Sequence, residues 1–169
     1  LPMDTQTGAP VIRIEAARVP ADIPAARAIF EEYGRSLGID LSFQDFDEEL
    51  SSLPGPYVPE GGLLLLAWCD DELAGCGAFR AIADVDYANA CEMKRLYVRP
   101  AFRRFGLGRQ VAQMLIDRAR EAGYFSMLLD TLDEMEAARE LYATLGFEEI
   151  PPYYYNPLPG AHHLKVDLR

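Results

Sequence analysis

The chain has 169 residues, half of them apolar and a quarter charged, with a formal net charge of −11. Those figures suit one soluble globular domain with a real core. They also exclude the broad basic face that nucleic-acid binding needs, and no apolar run reaches the length of a membrane span. Residues 1–60 hold eleven acids against four bases, a net of −7. That excess reads either as a solvated surface or as an acidic approach for a cationic amine.

Residues 1–10 are expected to be a flexible N-terminal segment, with Leu1-Pro2 ahead of Met3 an addition to the natural start; residues 11–169 form one domain. The start lacks the basic-then-apolar order of a secretory signal, so a cytoplasmic protein is expected. Residues 11–15 alternate and predict a first strand. Asp22 precedes Ile23-Pro24-Ala25 as a candidate N-cap. The helix that follows sets Ile23, Arg27, Phe30, Tyr33 and Leu37 near one stripe and ends at Gly38. Residues 43–50 predict a second, short helix, and the Pro/Gly-rich stretch 53–62 a loop. Leu63–Cys69, a turn at Asp70-Asp71 and residues 73–82 predict a hairpin, and Ala90–Val98 another strand. A helix carrying Val111, Leu115 and Ala119 ends at Gly123. Residues 125–131 predict an apolar strand covered on both faces, residues 134–145 a helix stopped by Gly146, and residues 147–150 and 162–168 final strands around a Tyr/Pro loop. This intermixed order favours an α/β or α+β sandwich over a barrel.

Cys69, Cys76 and Cys91 sit in apolar, strand-like stretches and read as buried reduced thiols. His162-His163 has no partner at metal-ligand spacing, so no metal is expected. The informative feature is a cluster of cations: six of the sixteen Lys and Arg residues fall within residues 94–109. They surround Arg103-Arg104-Phe105-Gly106-Leu107-Gly108, an R-x-x-G-x-G element between a predicted strand and a predicted helix. Glycines at such a junction let backbone N–H groups converge on an anion at the positive end of the helix dipole. A P-loop would need Gly-Lys followed by Ser or Thr, but Gly108 is followed by Arg109-Gln110. A dinucleotide fingerprint fails at its sixth position, which is Val111. The loop is left as a pyrophosphate cradle or a plain helix-capping turn.

The strand Cys91-Glu92-Met93-Lys94-Arg95-Leu96-Tyr97-Val98, the glycine loop, its helix, the apolar strand and Leu141-Tyr142-Ala143-Thr144-Leu145-Gly146-Phe147 form a joint pattern. Over residues 90–150 it resembles the GNAT superfamily of acetyl-CoA-dependent N-acetyltransferases. The resemblance implies a mixed, mostly antiparallel central sheet of about six or seven strands, splayed at its centre and flanked by about four helices. It implies acetyl-CoA as co-substrate, with the diphosphate on the amides of Arg104, Phe105, Gly106, Leu107, Gly108 and Arg109, beside Arg103. The main chain of Leu96, Tyr97 and Val98 would pair with the pantetheine arm as an added strand, and Thr131 would line the other side.

Neutralising an amine of lysine-like pKa at pH 7 costs about 4 kcal/mol, so a base near the acceptor is useful. Glu92 matches the position some members use, the alternative being an ion pair with Lys94 or Arg95. Tyr142 matches the tyrosine that serves the departing thiolate, the alternative being a packed helix residue. Tyr33, Phe43, Arg80, Tyr154 and Asn156 are candidate acceptor-binding residues, with Arg80 suited to a carboxylate. The expected reaction is direct acetyl transfer to a primary amine of a small molecule. A protein or peptide N-acetyltransferase and a non-catalytic acyl-CoA sensor are the rivals. Oligomeric state is left open, a homodimer included.

Overall fold

The longest apolar run, Leu63–Cys69 (β2), is buried at all but one position, as a strand covered on both faces must be. In this computed structural model, which describes residues 8–169 apart from the side chain of Phe43, β2 lies inside a seven-stranded sheet. Residues 1–7, most of the expected flexible segment, lie outside the described residues. The other strands are β1 (Ile12–Ala16), β3 (Glu72–Ile82), β4 (Ala90–Val98), β5 (Ser126–Leu132), β6 (Glu148–Ile150) and β7 (Ala161–Asp167), in the order β1-β2-β3-β4-β5-β7-β6. Every pairing is antiparallel except β4 with β5. That pair is joined by a crossover containing α3 (Leu107–Glu121), as parallel neighbours require. Helices α1 (Ile23–Leu37) and α2 (Phe46–Ser52) cover one face, around Ile29, Phe30, Leu64, Leu66 and Ala78. Helix α3 and α4 (Glu136–Thr144) cover the other, around Leu65, Met93, Val111, Leu115, Met127 and Leu129. The mixed, mostly antiparallel sheet with its four α-helices is the expected architecture.

Some local expectations are corrected. The helix predicted at 43–50 is a 3-10 turn, Ser42–Gln44, followed by α2, because Asp45 breaks the run with φ 55°. Asp22 precedes α1 but does not cap it. Its carboxylate instead accepts the Arg18 amide at 2.8 Å and the Arg18 guanidinium at 3.0 and 3.1 Å. Residues 125–131 were read as wholly apolar, yet the strand carries Asp130 on the face turned toward the Tyr/Pro loop.

The feature that shapes the site is a bulge in β4. Ala78 pairs with Lys94 and Cys76 with Tyr97, so one residue of β3, Gly77, faces Arg95 and Leu96 together. Arg95 takes φ 61°, a costly conformation for a side chain of that size. Gly77 is required by packing here: a β-carbon would lie 2.8 Å from Val111 and 3.0 Å from Leu115 of α3. Strain at Arg95 is offset by its side chain. The guanidinium forms two bonds of 2.9 Å to Glu49 of α2, one of 2.7 Å to Gln44, and lies 4.8 Å over the Phe46 ring. Bulges bend and twist the strand that bears them. Only Ala90, Cys91 and Glu92 pair with β5, opposite Ser126, Met127 and Leu128; beyond that point β4 and β5 diverge.

Removing Glu49 would leave the Arg95 guanidinium, 3% exposed, without its anion. Glu49→Ala is expected to destabilise the fold by about 3 kcal/mol in urea unfolding, whereas the exposed neighbour change Glu48→Ala should cost under about 0.5 kcal/mol.

Candidate active site

The divergence of β4 and β5 opens a cleft between Met93, Lys94, Arg95 and Leu96 on one side and Leu129, Asp130, Thr131 and Leu132 on the other. Along residues 93–98 the β5-facing edge of β4 has no strand partner among the described residues. Tyr142 of α4 closes the floor. Its ring packs edge-on to Phe147 at 5.6 Å, and burial raises its pKa, so the phenol is neutral at physiological pH. Among the described residues its hydroxyl has no hydrogen-bond partner. Tyr33 enters from α1, edge-on to Tyr97 at 5.9 Å. Thr131 is buried, with its hydroxyl 3.7 Å from Met135 sulfur.

After β4 the glycine loop passes from the 3-10 turn Pro100–Phe105 into α3. Gly106 makes the junction at φ 68°, where glycine is the residue without penalty. The amides of Leu107, Gly108 and Arg109 fall in the first turn and have no helical acceptor; the first bonded amide is that of Gln110, 3.2 Å from Gly106 oxygen. Leu107 is the anchor, buried with Cys69, Ala74 and Val98. The arginines fold around the turn. Arg103 donates to Val98 oxygen at 2.9 Å, Arg104 to Ala101 oxygen at 3.1 Å with its guanidinium over Phe105, and Arg109 to Thr144 at 2.5 Å. Tyr97 points to the opposite face of the sheet and donates to Glu32 at 2.8 Å, so only its main chain can serve the cleft.

A second cavity, of about 250 Å³, lies on the α1–α2 face beside the cleft, lined by Gln44, Arg80, Glu92, Lys94, Tyr153 and Tyr154 among others. Glu92 is 2% exposed and both its oxygens are engaged. Oε1 accepts from Arg80 at 3.0 and 3.1 Å, and Oε2 from Tyr153 at 2.7 Å. Its ion-pair partner is therefore Arg80, across β3, while Lys94 and Arg95 turn to Gln44 and Glu49. Asp130 is differently set. Oδ2 accepts from Tyr154 and, at 2.9 Å, from Asn156, while Oδ1 has no hydrogen-bond partner among the described residues; the residue is part of the cleft lining. Gln44 closes the arrangement, donating to the Tyr154 hydroxyl at 2.9 Å. Residues 151–160 thus lie across the cavity, tied down through Tyr153, Tyr154 and Asn156.

Residues 25–147 match the profile of the acetyltransferase (GNAT) family. A Schizosaccharomyces pombe protein called an uncharacterised N-acetyltransferase is 37% identical over 158 residues, covering 93% of this chain and 95% of its own. The chain belongs to the GNAT acetyltransferase family. It is an acetyl-CoA-dependent N-acetyltransferase by membership, and the fold agrees. A GNAT-family acetyltransferase of Staphylococcus aureus superposes with TM-score 0.75 at 19% identity, over 94% of this chain and all of that one. A Salmonella typhimurium protein solved with its cofactor acetyl-CoA gives TM-score 0.69 at 21% identity, over 94% of each chain. The free first-turn amides of α3 and the unpaired edge of β4 suit the coenzyme of a GNAT enzyme: one offers donors for a diphosphate, the other a main-chain ladder for an extended arm.

Of the residues expected to form this GNAT site, Leu96, Thr131, Tyr33, Asn156 and Tyr142 line the cleft, and Arg80, Glu92 and Tyr154 line the adjoining cavity. Phe43 lies outside the described side chains. Sequence reasoning passed over Asp130, Gln44 and Glu49, and gave Lys94 only as an ion-pair alternative for Glu92. An acid inside an otherwise apolar central strand was the available signal for Asp130; nothing local marked Gln44.

His162 of β7 links β6 to the β5–α4 turn, with Nδ1 2.7 Å from Glu149 and Nε2 against Asp133. Hydrogen bonds to Glu149 and then Asp133 hold its pKa above the ordinary 6.5. A raised folded pKa means the clasp contributes fully below pH 6.5 and is lost as pH rises through the folded value. Urea stability is expected to decline on going upward from pH 6.5, and His162→Gln should flatten that decline.

Proposed function

We propose that this enzyme acetylates a primary amine of a small molecule by direct attack, with acetyl-CoA and acceptor bound together. The observation that carries the small acceptor is the cover over the second cavity. Tyr153 and Tyr154 reach down to Glu92 and Asp130, and Gln44 meets Tyr154 from the opposite wall. A peptide acceptor needs an open groove, and this strap crosses where such a groove would run. No helix of the described residues is long and apolar enough to cross a membrane, and a cytoplasmic site of action forms part of this reading.

Acetyl-CoA supplies an activated acyl group on a thiol leaving group. The amides of Leu107, Gly108 and Arg109, with Arg103 and Arg104 nearby, hold its diphosphate, and the main chain of Leu96, Tyr97 and Val98 orients the arm. Asp130 is the proton acceptor we favour. Asp130 lines the cleft and its Oδ1 has no hydrogen-bond partner among the described residues, while Tyr154 and Asn156 fix the other oxygen. Glu92 lines only the second cavity and is filled at both oxygens, which suits it to positioning Arg80 and Tyr153. Tyr142 donates a hydrogen bond to the leaving sulfur. Its pKa is raised by burial and an ordinary thiol has pKa near 8.5, so complete proton transfer is uphill and the bond itself is the contribution.

Asp130→Asn is expected to lower kcat by about 10²-fold or more, with acetyl-CoA affinity retained in calorimetry. Tyr142→Phe should lower kcat with little change in the KM for the amine. The function is tested by thiol release from acetyl-CoA with small amines and with peptides; turnover of peptides alone would refute the small-acceptor reading.

A further inference from the structure

Lys94 is a buried cation without an anion. It is 8% exposed, its Nζ donates to the neutral Gln44 oxygen at 3.3 Å, and among the described residues no carboxylate lies within 4.0 Å. The acids that face it are bonded elsewhere: Glu49 by Arg95, Glu92 by Arg80 and Tyr153, and Asp130, through Oδ2 alone, by Tyr154 and Asn156. Leaving a buried ammonium in that condition is costly, and burial depresses its pKa, against the pull of Glu92 and Asp130 and with the push of Arg95 and Arg80. A ligand anion would restore the balance.

Lys94 also stands at the right place for one. With Gln44 it borders both the thioester cleft and the second cavity. Across that cavity Arg80, with a 40% exposed side chain, spends Nε and Nη2 on the same Glu92 oxygen, and its Nη1 has no partner among the described residues. The cavity therefore presents spare donors from two cations, whereas Glu49 and Glu92 are already filled. Asp45 is the remaining acid of the lining and is exposed.

We propose that the acceptor is an amino-acid-type molecule, an amine carrying a carboxylate on the same or the adjacent carbon, held by Lys94 Nζ and Arg80 Nη1. This inference rests on the small-acceptor reading. A carboxylate at Lys94 keeps a nearby amine at the border of the cleft, on the side of Asp130. An amine far from its carboxylate would have to double back to reach the same point. A plain polyamine would meet two cations at this wall, with exposed Asp45 the remaining acid of the lining.

The test uses paired acceptors: amino acids, and the amines left when their carboxylates are removed. Thiol release is followed with each, acetyl-CoA binding is measured by calorimetry, and melting temperature is recorded with each acceptor in the presence of CoA. The expected result is kcat/KM at least about ten-fold higher for the carboxylate-bearing member of some pair, carried mainly by KM. Lys94→Met should erase that preference and Lys94→Arg should keep part of it. Should Lys94→Met fail to fold, the comparison on the unaltered enzyme decides alone. Decarboxylated amines used equally well, or better, overturn the inference and leave the acetyltransferase assignment intact. Turnover of peptides alone overturns it along with the small-acceptor reading. Amino acids that produce neither turnover nor a thermal shift, in a protein that binds acetyl-CoA, overturn it as well.

Discussion

The site depends on one extra residue in β4. Because Arg95 and Leu96 together oppose Gly77, the strand turns away from β5 after three paired residues, and a parallel pair that could have run its full length becomes a cleft. The bulge persists because Arg95 is held from three directions, by Glu49, Gln44 and the Phe46 ring. These contacts come from α2 and the turn before it, so the short helix after α1 acts as a brace for the cleft. Gly77 lets α3 approach the same point from the opposite face. Opening the cleft and seating the helix whose first turn offers free amides are thus one packing problem solved at one place.

The two faces of the sheet then divide the work. On the α3–α4 face, backbone groups and the Tyr142 phenol border the space suited to the coenzyme. On the α1–α2 face a chain of polar side chains runs from Arg80 through Glu92 to Tyr153, and from Lys94 through Gln44 and Tyr154 to Asp130. Buried networks of this kind are favourable only when nearly every member is satisfied. The exceptions are informative: among the described residues Asp130 Oδ1 and Arg80 Nη1 have no hydrogen-bond partner, and Lys94 has only the neutral Gln44 oxygen. One further orphan among the described residues is Nδ1 of the buried His163, whose ring lies edge-on to Tyr153 at 5.0 Å and to Tyr154 at 5.5 Å.

Much of this was legible in the sequence, and the reason is locality. Strand and helix order, the glycine junction and the cation cluster are encoded within short windows, where periodicity, Gly106 and Gly146 speak directly. The coenzyme side of the site is mostly main chain, so a contiguous run such as residues 96–109 describes it nearly whole. The acceptor side is not contiguous. Glu92 meets Arg80 and Tyr153, and Gln44 meets Arg95 and Tyr154, at separations of up to 110 residues that no local pattern reports. The ion-pair alternative for Glu92 named Lys94 or Arg95 because they are near in sequence; cross-strand register, not proximity along the chain, makes Arg80 its partner. Asp130 was hidden by its apolar neighbours in β5, although a carboxylate there had to have a purpose or a partner.

The central claim is that the space opened by the bulge in β4 is where the coenzyme lies, its diphosphate on the leading amides of α3. Backbone amide chemical shifts, followed by NMR as acetyl-CoA is titrated into the isotopically labelled protein, test it most directly. The account predicts the largest changes at Leu107, Gly108, Arg109 and along residues 93–98, with β1 and the β1-facing edge of β2 nearly silent. Changes concentrated away from those amides, or none at millimolar acetyl-CoA, would contradict it.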